Sequence, residues 1–305
     1  MSSCIRCNRE AVIFIRYNGS HLCDEHFRQY VERRAKKEVR QQIDLDGVRT
    51  LAVALSGGKD SSVALSILVE ALRHRQDLNI FAITIDEGIQ GYRPKTVEKA
   101  IELTNRLGVE HHIISFKEAL GKDMDEIARA ASGKGACTYC GVLRRRCMNS
   151  LARELGAEVL ATGLNLDDTA QSILMNFTRG DVERLARLGP HLKVQPGLIP
   201  RIQPLRLIPE NETYLYAVLK GLPFSDDECP YADSALRNEY REIVNKLEDK
   251  HPGTKHSIVA SYESLRPLLM EAFPPADLER CSCGEPTSNE KCMSCTLMEE
   301  IRKMV

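Results

Sequence analysis

The sequence contains no tryptophan, only 5% aromatic residues and no apolar run that approaches a membrane span, which takes about 18 residues. Its 42 Lys and Arg residues are balanced by 43 Asp and Glu, which gives a net charge of -1. The chain is therefore not a polycation, and any nucleic-acid binding must come from local basic patches. The opening MSSCIRCNRE carries cysteines and charges where a secretory signal would be apolar. We expect a cytoplasmic protein with no membrane partner.

Cysteine is unusually abundant, with 11 residues in the chain. An odd number of cysteines with so few aromatic residues argues against a secreted, disulfide-framed scaffold, and metal binding explains them better. The cysteines form three groups, which suggests three sites. The groups are Cys4, Cys7 and Cys23; Cys137, Cys140, Cys147 and Cys229; and Cys281, Cys283, Cys292 and Cys295.

The first group has zinc-knuckle spacing. Cys4-x2-Cys7 is followed after fifteen residues by Cys23-x2-His26, so four thiolate or imidazole ligands can close a tetrahedron around Zn²⁺. The final group is similar in kind. The sequence therefore predicts two Zn²⁺ sites, one in a small module at each end of the chain.

From residue 50 the pattern alternates between apolar strands and helices of 10 to 15 residues. The expected strands are TLAVAL, NIFAITID, EHHIISF and EVLATG, and the segment after residue 180 is richer in Pro and Arg. Such alternation predicts an α/β fold with a parallel sheet covered on both faces, whose ligands bind beyond the carboxyl ends of the strands. Helices are expected near 61–75, 95–107, 141–155, 167–177, 212–220, 232–247 and 254–272.

The first of these strands runs directly into the segment Ser56–Ser62, SGGKDSS, where a helix is expected to begin. Backbone amides and the helix dipole favour an anion there, and glycines let the backbone approach it. A P-loop NTPase is excluded, because its motif would need Gly at Val53 and Ser or Thr at Asp60. The segment resembles the SGGxDS loop of the PP-loop ATP pyrophosphatase superfamily, whose members bind ATP in a doubly wound sheet, transfer AMP to a carbonyl oxygen and release pyrophosphate.

Further motifs extend this resemblance over essentially the whole chain. With the terminal cysteine modules, they are similar to those of tRNA thiolation enzymes, and most of all to the archaeal and eukaryotic tRNA 2-thiouridine synthetases. The chain departs from that group in having one residue between Cys281 and Cys283, where two are usual, and Leu164 where relatives often carry His. The motifs are DEGIQGYR at 86–93, CTYCG at 137–141, NLDD at 165–168, PLR at 204–206 and CP at 229–230.

The middle cysteines leave several interpretations open. Three thiolates without a fourth suit an iron–sulfur cluster with one open iron, although a redox or persulfide-carrying pair, or buried or zinc-binding cysteines, also fit the pattern. The resemblance implies a [4Fe-4S] cluster on Cys137, Cys140 and Cys229 whose unique iron can hold hydrosulfide. Cys147, seven residues after Cys140, is expected to be a packed thiol.

The resemblance also implies the reaction. A uridine C2 oxygen in tRNA would be adenylated by ATP with Mg²⁺, and sulfur from the cluster-bound hydrosulfide would then replace AMP to give 2-thiouridine. The expected catalytic residues are Lys59, Asp60 and Asp168, and the expected ATP-binding residues are Ser56, Gly57, Gly58, Lys59, Ser61, Ser62, Asp86 and Gly163.

Basic residues near the middle cysteines and on the first helix predict a tRNA footprint on phosphates. They include Arg144–Arg146, Arg179, Arg184 and Arg187. The sulfur donor is expected to be sulfide or a thiocarboxylated ubiquitin-like protein, and the resemblance suggests a homodimer. Three alternatives remain: thiolation through a persulfide without a cluster, transfer of an amine, and a non-enzymatic RNA-binding zinc protein on a nucleotide-binding scaffold.

We expect the chain to divide into four parts. Residues 1–48 would form the N-terminal zinc module with a basic helix, and residues 49–225 the PP-loop catalytic domain. Residues 226–275 would be a helical extension that brings in the third cluster cysteine, and residues 276–305 the C-terminal zinc module.

Overall fold

The computed structural model describes residues 2–131, 135–190, 195, 197–232 and 236–303. The strands are β1 (Ile13–Ile15), β2 (Ser20–Leu22), β3 (Thr50–Ala54), β4 (Asn79–Asp86), β5 (Glu110–Ser115), β6 (Val159–Ala161), β7 (Arg201–Ile202), β8 (Glu279–Arg280) and β9 (Pro286–Thr287). The helices are α1 (Asp24–Gln42), α2 (Lys59–Leu72), α3 (Arg93–Leu107), α4 (Phe116–Leu120), α5 (Met124–Ala130), α6 (Ala136–Glu154), α7 (Leu166–Thr178), α8 (Val182–Ala186), α9 (Glu210–Leu219), α10 (Arg237–Lys250), α11 (Thr254–Ala272) and α12 (Met293–Lys303). None of the helices in these ranges combines the length and the apolar character that crossing a membrane requires.

The centre of the fold is a parallel sheet in the order β5-β4-β3-β6-β7. Successive residues of β3 face opposite sides of this sheet. Leu51 and Val53 belong to a core that includes α1 and α2, whereas Ala52 belongs to a second core that includes α6. Both faces of the sheet are therefore covered, and the prediction of a doubly wound α/β fold is confirmed.

Small antiparallel hairpins lie near the two ends of the chain, β1 with β2 and β8 with β9. The first leads into α1, which packs against α2 and α9, and the second is followed by α12, which packs against α6. Leu297 and Ile301 of α12 are buried in the same core as Tyr139 and Leu143 of α6. The C-terminal segment thus supports the helix that carries two of the middle cysteines.

Three details of the sequence prediction differ from the structure. Helix α6 begins at Ala136 rather than near Gly141, because Tyr139, Leu143 and Cys147 recur every four residues and extend its buried face toward its start. Strand β7 lies in the Pro- and Arg-rich segment, where its two residues are too few to show a periodicity. The helix expected over 232–247 begins at 237, and residues 233–235 of that prediction lie outside the described residues.

Candidate nucleotide and cysteine sites

The loop Ser56–Gly58 joins the carboxyl end of β3 to the first turn of α2. Within it, the Ser61 hydroxyl donates to the Gly58 carbonyl at 3.0 Å and lies 3.0 Å from the Ser56 hydroxyl. Gly58 is the N-cap residue of α2, so the amides of the first turn and the positive end of the helix dipole face the loop. The predicted phosphate-binding elements are therefore assembled in one place.

Two glycines let backbone segments meet at this loop. Gly57 has φ of 83°, and a Cβ atom there would lie 1.8 Å from the Thr96 carbonyl oxygen. A Cβ atom on Gly163, after β6, would lie 2.7 Å from the backbone nitrogen of Ser61. Both distances are too short for any side chain, so these glycines fix how closely α3 and the end of β6 approach the loop.

The Lys59 side chain is held over an open cleft of about 860 Å³. Its Nζ lies 2.7 Å from Oε1 of Glu210 and 3.2 Å from Oδ2 of Asp60. The other oxygen of Asp60 accepts a hydrogen bond from the Thr213 hydroxyl at 2.6 Å. Residues from α9, more than 150 positions away in the sequence, thus orient the two charged residues of the loop.

Asp168 lies at the start of α7, close to Asp60. Its side chain forms a capping box with Asn165, and its Oδ1 accepts from Arg237 at 3.2 Å. Burial, together with the nearby Asp60 charge, raises the pKa of Asp168 above its ordinary value, although Arg237 opposes this effect. Two neighbouring carboxylates in this setting favour a divalent cation between them.

Asp167, the neighbour of Asp168, has a different environment. It is buried, forms an ion pair with Lys255 of α11, and accepts a hydrogen bond from the backbone amide of Glu210 at 2.8 Å. Of the two adjacent aspartates, Asp168 stands beside the loop residues, and Asp167 anchors the start of α9.

The other two predicted ATP contacts differ in accessibility. Asp86 ends β4, is half-buried, and accepts from the Gly88 amide at 2.9 Å. Ser62 is fully buried in α2, and its hydroxyl has no partner among the described residues. The roles of both residues in ATP binding stay predictions.

The middle cysteines Cys137 and Cys140 lie on the first two turns of α6, and Cys229 lies on a loop beside them. Cys137 is exposed, and its Sγ lies 3.2 Å from the carbonyl oxygen of Tyr231. Burial raises the pKa of Cys140 to about 11. Cys147 lies two helical turns further along α6 and is buried among the core residues, as predicted for a packed thiol.

A buried carboxylate lies between the loop and the cysteines. Glu87 Oε2 is 2.7 Å from Nε of Arg93, and Glu87 Oε1 is 3.3 Å from Nη1 of Arg144. Arg93 also donates to the carbonyl oxygen of Ser56 at 3.0 Å. Arg144 follows Cys140 by one helical turn. The chain of contacts Ser56–Arg93–Glu87–Arg144 therefore connects the loop Ser56–Gly58 with the middle cysteines.

Each terminal module brings four ligand atoms within 4.8 Å of one another. At the N-terminus, Sγ of Cys7 and Cys23 are 3.6 Å apart, and Nδ1 of His26 is 3.4 Å from Sγ of Cys23. A tetrahedral zinc site with Zn–S bonds of about 2.3 Å has sulfur–sulfur distances of about 3.8 Å. The fourth ligand atom of this module is Sγ of Cys4.

At the C-terminus, Cys281 and Cys295 are 3.8 Å apart and Cys283 and Cys292 are 3.5 Å apart, so the shortened Cys281-x-Cys283 spacing still places both sulfurs in the set. Backbone amides of Cys283 and Cys292 hold the pKa of Cys281 at about 6, which favours the thiolate that binds metal. Both modules could hold a metal ion.

Five residues at these sites were missed by sequence reasoning: Glu87, Arg93, Glu210, Thr213 and Arg237. Arg93 is within the DEGIQGYR motif, which could have marked it. The contacts of Glu210 and Thr213 with the loop span about 150 residues, and no local spacing encodes them. The PLR motif has a structural role here, because Arg206 is buried and forms an ion pair with Glu263 of α11.

Comparison with known proteins agrees with the family resemblance that the sequence motifs indicate. A family model described as a PP-loop domain matches residues 28–248, and one described as the N-terminal LIM domain of the 2-thiouridine synthetase TtuA matches residues 3–28. The tRNA 2-thiolation protein NcsA of Haloferax volcanii is 40% identical over 98% of this chain and 98% of its own. The chain belongs to the tRNA 2-thiolation family of PP-loop proteins.

Other members of this family also match over nearly the whole chain. The tRNA-5-methyluridine(54) 2-sulfurtransferase of Pyrococcus horikoshii is 35% identical over 96% of this chain and 92% of its own. The solved structure of the U34-tRNA thiolase NcsA from Methanococcus maripaludis, with its [4Fe-4S] cluster, matches with a TM-score of 0.83 and 35% identity over 98% of this chain and 96% of that chain. The predicted family and fold are thus both confirmed.

Proposed function

We propose that this protein is a tRNA 2-thiouridine synthetase that activates a uridine with ATP and then replaces the C2 oxygen by sulfur. The observation that carries this proposal is the adjacency of the two sites. Tyr92 lines the cleft over Lys59, packs against the same core as Cys140 and Cys229, and lies close enough to Cys229 to interact with it electrostatically. Glu228 lines that cleft too, immediately before Cys229. A uridine activated at the loop would therefore lie close to the cysteines.

In the first step, the uracil C2 oxygen attacks the α-phosphate of ATP, and the bond to pyrophosphate breaks. The amides of Gly57 and Gly58, the Ser61 hydroxyl and Lys59 stabilise the negative charge on the departing pyrophosphate. Glu210 and Asp60 keep the Lys59 ammonium protonated and aimed at this position. Asp60 and Asp168 would hold Mg²⁺ against the phosphates.

In the second step, a sulfur nucleophile attacks the activated C2 carbon, and AMP leaves with the former uridine oxygen. Cys137, Cys140 and Cys229 would hold a [4Fe-4S] cluster, which supplies a Lewis-acidic iron that can carry the sulfur. The donor set fits such a group, because Cys137 and Cys229 both lie near enough to Cys140 to act on it electrostatically. Cys137, moreover, is open to solvent.

The wider spacing of these three thiols also distinguishes them from the ligand sets of the two terminal modules. Among the described residues, the terminal sets are the groups whose ligand atoms all lie within 4.8 Å, and the middle cysteines are not one of them. A cluster, whose cysteine ligands sit on different iron atoms, requires such wider separation. The terminal modules would each hold Zn²⁺ through thiolate and imidazole ligands.

The remaining assignments follow from this reaction. The substrate would be tRNA, and the sulfur donor sulfide or a thiocarboxylated ubiquitin-like protein. The target uridine must be flipped out or already exposed, because its C2 oxygen is inaccessible in a stacked helix. We also propose a cytoplasmic location and a homodimer.

The deciding experiment incubates the reconstituted protein anaerobically with unmodified tRNA, ATP, Mg²⁺ and sulfide and analyses nucleosides by mass spectrometry. We expect 2-thiouridine only when ATP and the cluster are both present, and mapping its position distinguishes the wobble from the T-loop uridine. Cys229→Ala should abolish the product, whereas Cys147→Ala, which removes a buried thiol outside the site, should keep it. Full thiolation by Cys229→Ala would refute the cluster assignment, and 2-thiouridine formed without iron would support a persulfide route instead.

A further inference from the structure

A second cleft, of about 610 Å³, opens along α6 and shares no lining residue with the Lys59 cleft. Its walls are α6, the region after α8, β7, the end of α11 and the C-terminal cysteine module. Its charge is unusual for a chain whose net charge is -1. Five arginines line it: Arg145, Arg146, Arg187, Arg201 and Arg266.

Acidic residues neutralise only part of this cleft. Arg187 pairs with Glu183 at 3.1 Å, and Arg266 lies 3.8 Å from Glu263. Glu285 is the acidic residue among its lining, and it already forms an ion pair with Arg153 and accepts a hydrogen bond from Asn149. Over the ranges that the structure describes, neither Arg145 nor Arg201 has an acidic partner within 4.0 Å. Burial and the nearby Arg145 charge lower the pKa of Arg201, although the charge of Glu285 opposes this effect.

The cleft also has an apolar wall and leads to the cysteine site. Met270, Phe273 and Leu198 contribute apolar surface opposite α6. At the other end, the guanidinium of Arg145 folds back over Gly141, the residue after Cys140, where a Cβ atom would lie 3.8 Å from its Nη1. The cleft therefore runs from the C-terminal module at Cys292 to the start of the site at which sulfur would be transferred.

We propose that this cleft binds a single-stranded segment of the tRNA and guides the target uridine to the cysteines, an inference that rests on the proposed function. Its cations are all arginines, whose planar guanidinium groups bind phosphates in a bidentate manner and stack on bases. Proteins that bind single-stranded RNA combine a positively charged groove for the phosphates with aromatic side chains on which bases stack, and Phe273 supplies an aromatic ring in this wall. The cleft's position beside Cys140 favours the RNA over an acidic peptide.

The test measures tRNA binding by fluorescence anisotropy over a series of salt concentrations, with the holo-protein and unmodified tRNA. The variant Arg145→Gln/Arg201→Gln removes the two unpaired cations and keeps polar side chains of similar length. We expect its affinity to fall on the order of tenfold, and the slope of log K against log salt to decrease by about 1 for each phosphate that the variant no longer binds. ATP binding should not change, since neither residue lines the Lys59 cleft.

The matched control is Arg49→Gln/Arg73→Gln, which removes two exposed cations near the amino ends of the strands, at the opposite edge of the sheet from the loop. This variant should bind tRNA like the wild type. Arg187→Gln, a single change at an exposed position of the cleft, keeps the test valid if the double variant fails to fold. It should lower the salt slope by about 1.

The outcomes separate this inference from the function it rests on. If the wild type binds tRNA and the cleft variants bind it with the same affinity and salt slope, the inference is overturned while the proposed function stands. The inference is overturned equally if those variants lose binding to a protein sulfur donor instead, because the cleft would then serve a peptide. If the wild type itself shows no tRNA binding, the proposed function fails first.

Discussion

Nε of Arg93 lies 2.7 Å from Oε2 of Glu87, and both side chains are at least 96% buried. The same arginine donates to the Ser56 carbonyl in the nucleotide loop, and the same carboxylate faces Arg144 beside Cys140. One buried negative charge thus fixes two arginines that belong to different halves of the proposed reaction. A change at this carboxylate should disturb both halves together.

We expect Glu87→Gln to lower the free energy of unfolding by about 2–4 kcal/mol, because the buried Arg93 loses its nearest carboxylate and keeps only the more distant Asp86, at 3.8 Å. Urea denaturation measures this change. Glu102→Gln removes an exposed carboxylate that pairs with Lys99, and it should change the unfolding free energy by less than about 0.5 kcal/mol. A Glu87→Gln protein as stable as this control would show that the buried pair carries no structural role.

Gly163→Ala should fold but bind ATP poorly. The new Cβ atom would lie 2.7 Å from the Ser61 nitrogen, so either β6 or the first turn of α2 must move, at about 1–3 kcal/mol. Isothermal titration with ATP and thermal unfolding measure the two effects. Gly135→Ala is the control, because its Cβ meets nothing within 4 Å among the described residues and its φ is -61°. Unchanged ATP affinity in Gly163→Ala would contradict the proposed role of this contact.

The adjacent residues Asp167 and Asp168 should respond to the same substitution in opposite ways. Asp168→Asn should retain full stability at neutral pH, since the pKa of this carboxyl is raised in the folded state and its ionised form therefore opposes folding above the unfolded pKa of about 3.9. The amide oxygen can still cap α7. Production of AMP should nevertheless fall by about 100-fold or more, because a proposed Mg²⁺ ligand is lost.

Asp167→Asn should be unstable, since Lys255 is left as a buried ammonium without its partner. The expected loss is about 3–5 kcal/mol by urea denaturation. Measuring the free energy of unfolding of both variants and of the wild type from pH 3 to 8 tests the direction of this pH dependence. The stability advantage of Asp168→Asn over the wild type should disappear below about pH 4, where the wild-type carboxyl becomes protonated in both states. Equal stability of the two variants would contradict this account.

Cys283→Ser should remove one of the proposed zinc ions. The four sulfurs of the C-terminal module meet despite its shortened spacing, so each is needed to close the tetrahedron. Elemental analysis should find bound zinc reduced from about two to about one per chain. Ser282→Ala, a change at the intervening residue, should retain both ions. Two zinc ions in Cys283→Ser would mean that this cysteine is not a ligand.

Much of this architecture is predictable because its signals are local. The SGGKDSS loop follows an apolar strand directly, and the cysteine pairs at the chain ends are only a few residues apart, so each pattern is visible within one short window. The sequence predicts α11 with the bounds Thr254–Ala272 that the structure shows. The proposed domain boundaries and the roles of the site residues stay predictions.

The interactions that sequence reasoning missed are distant in sequence or depend on charge balance in three dimensions. Glu210 contacts Lys59 from another helix, and no sequence pattern around either residue predicts this contact. The two aspartates at 167 and 168 look equivalent in sequence, but the 100° rotation between successive helical residues points one toward Lys255 and the other toward the loop. Their difference is a property of what surrounds α7.

The packing of α12 against α6 sets an order of events during biosynthesis. Leu297 and Ile301 complete the core around Tyr139 and Leu143, on the helix that presents Cys137 and Cys140. On the ribosome, the sheet can form around β3, β4 and β6 well before residues 293–303 emerge from the exit tunnel. The cysteine-bearing helix gains this support only once residues 293–303 have been synthesised, so a cofactor held by Cys137 and Cys140 is expected to be inserted after that segment has folded onto α6.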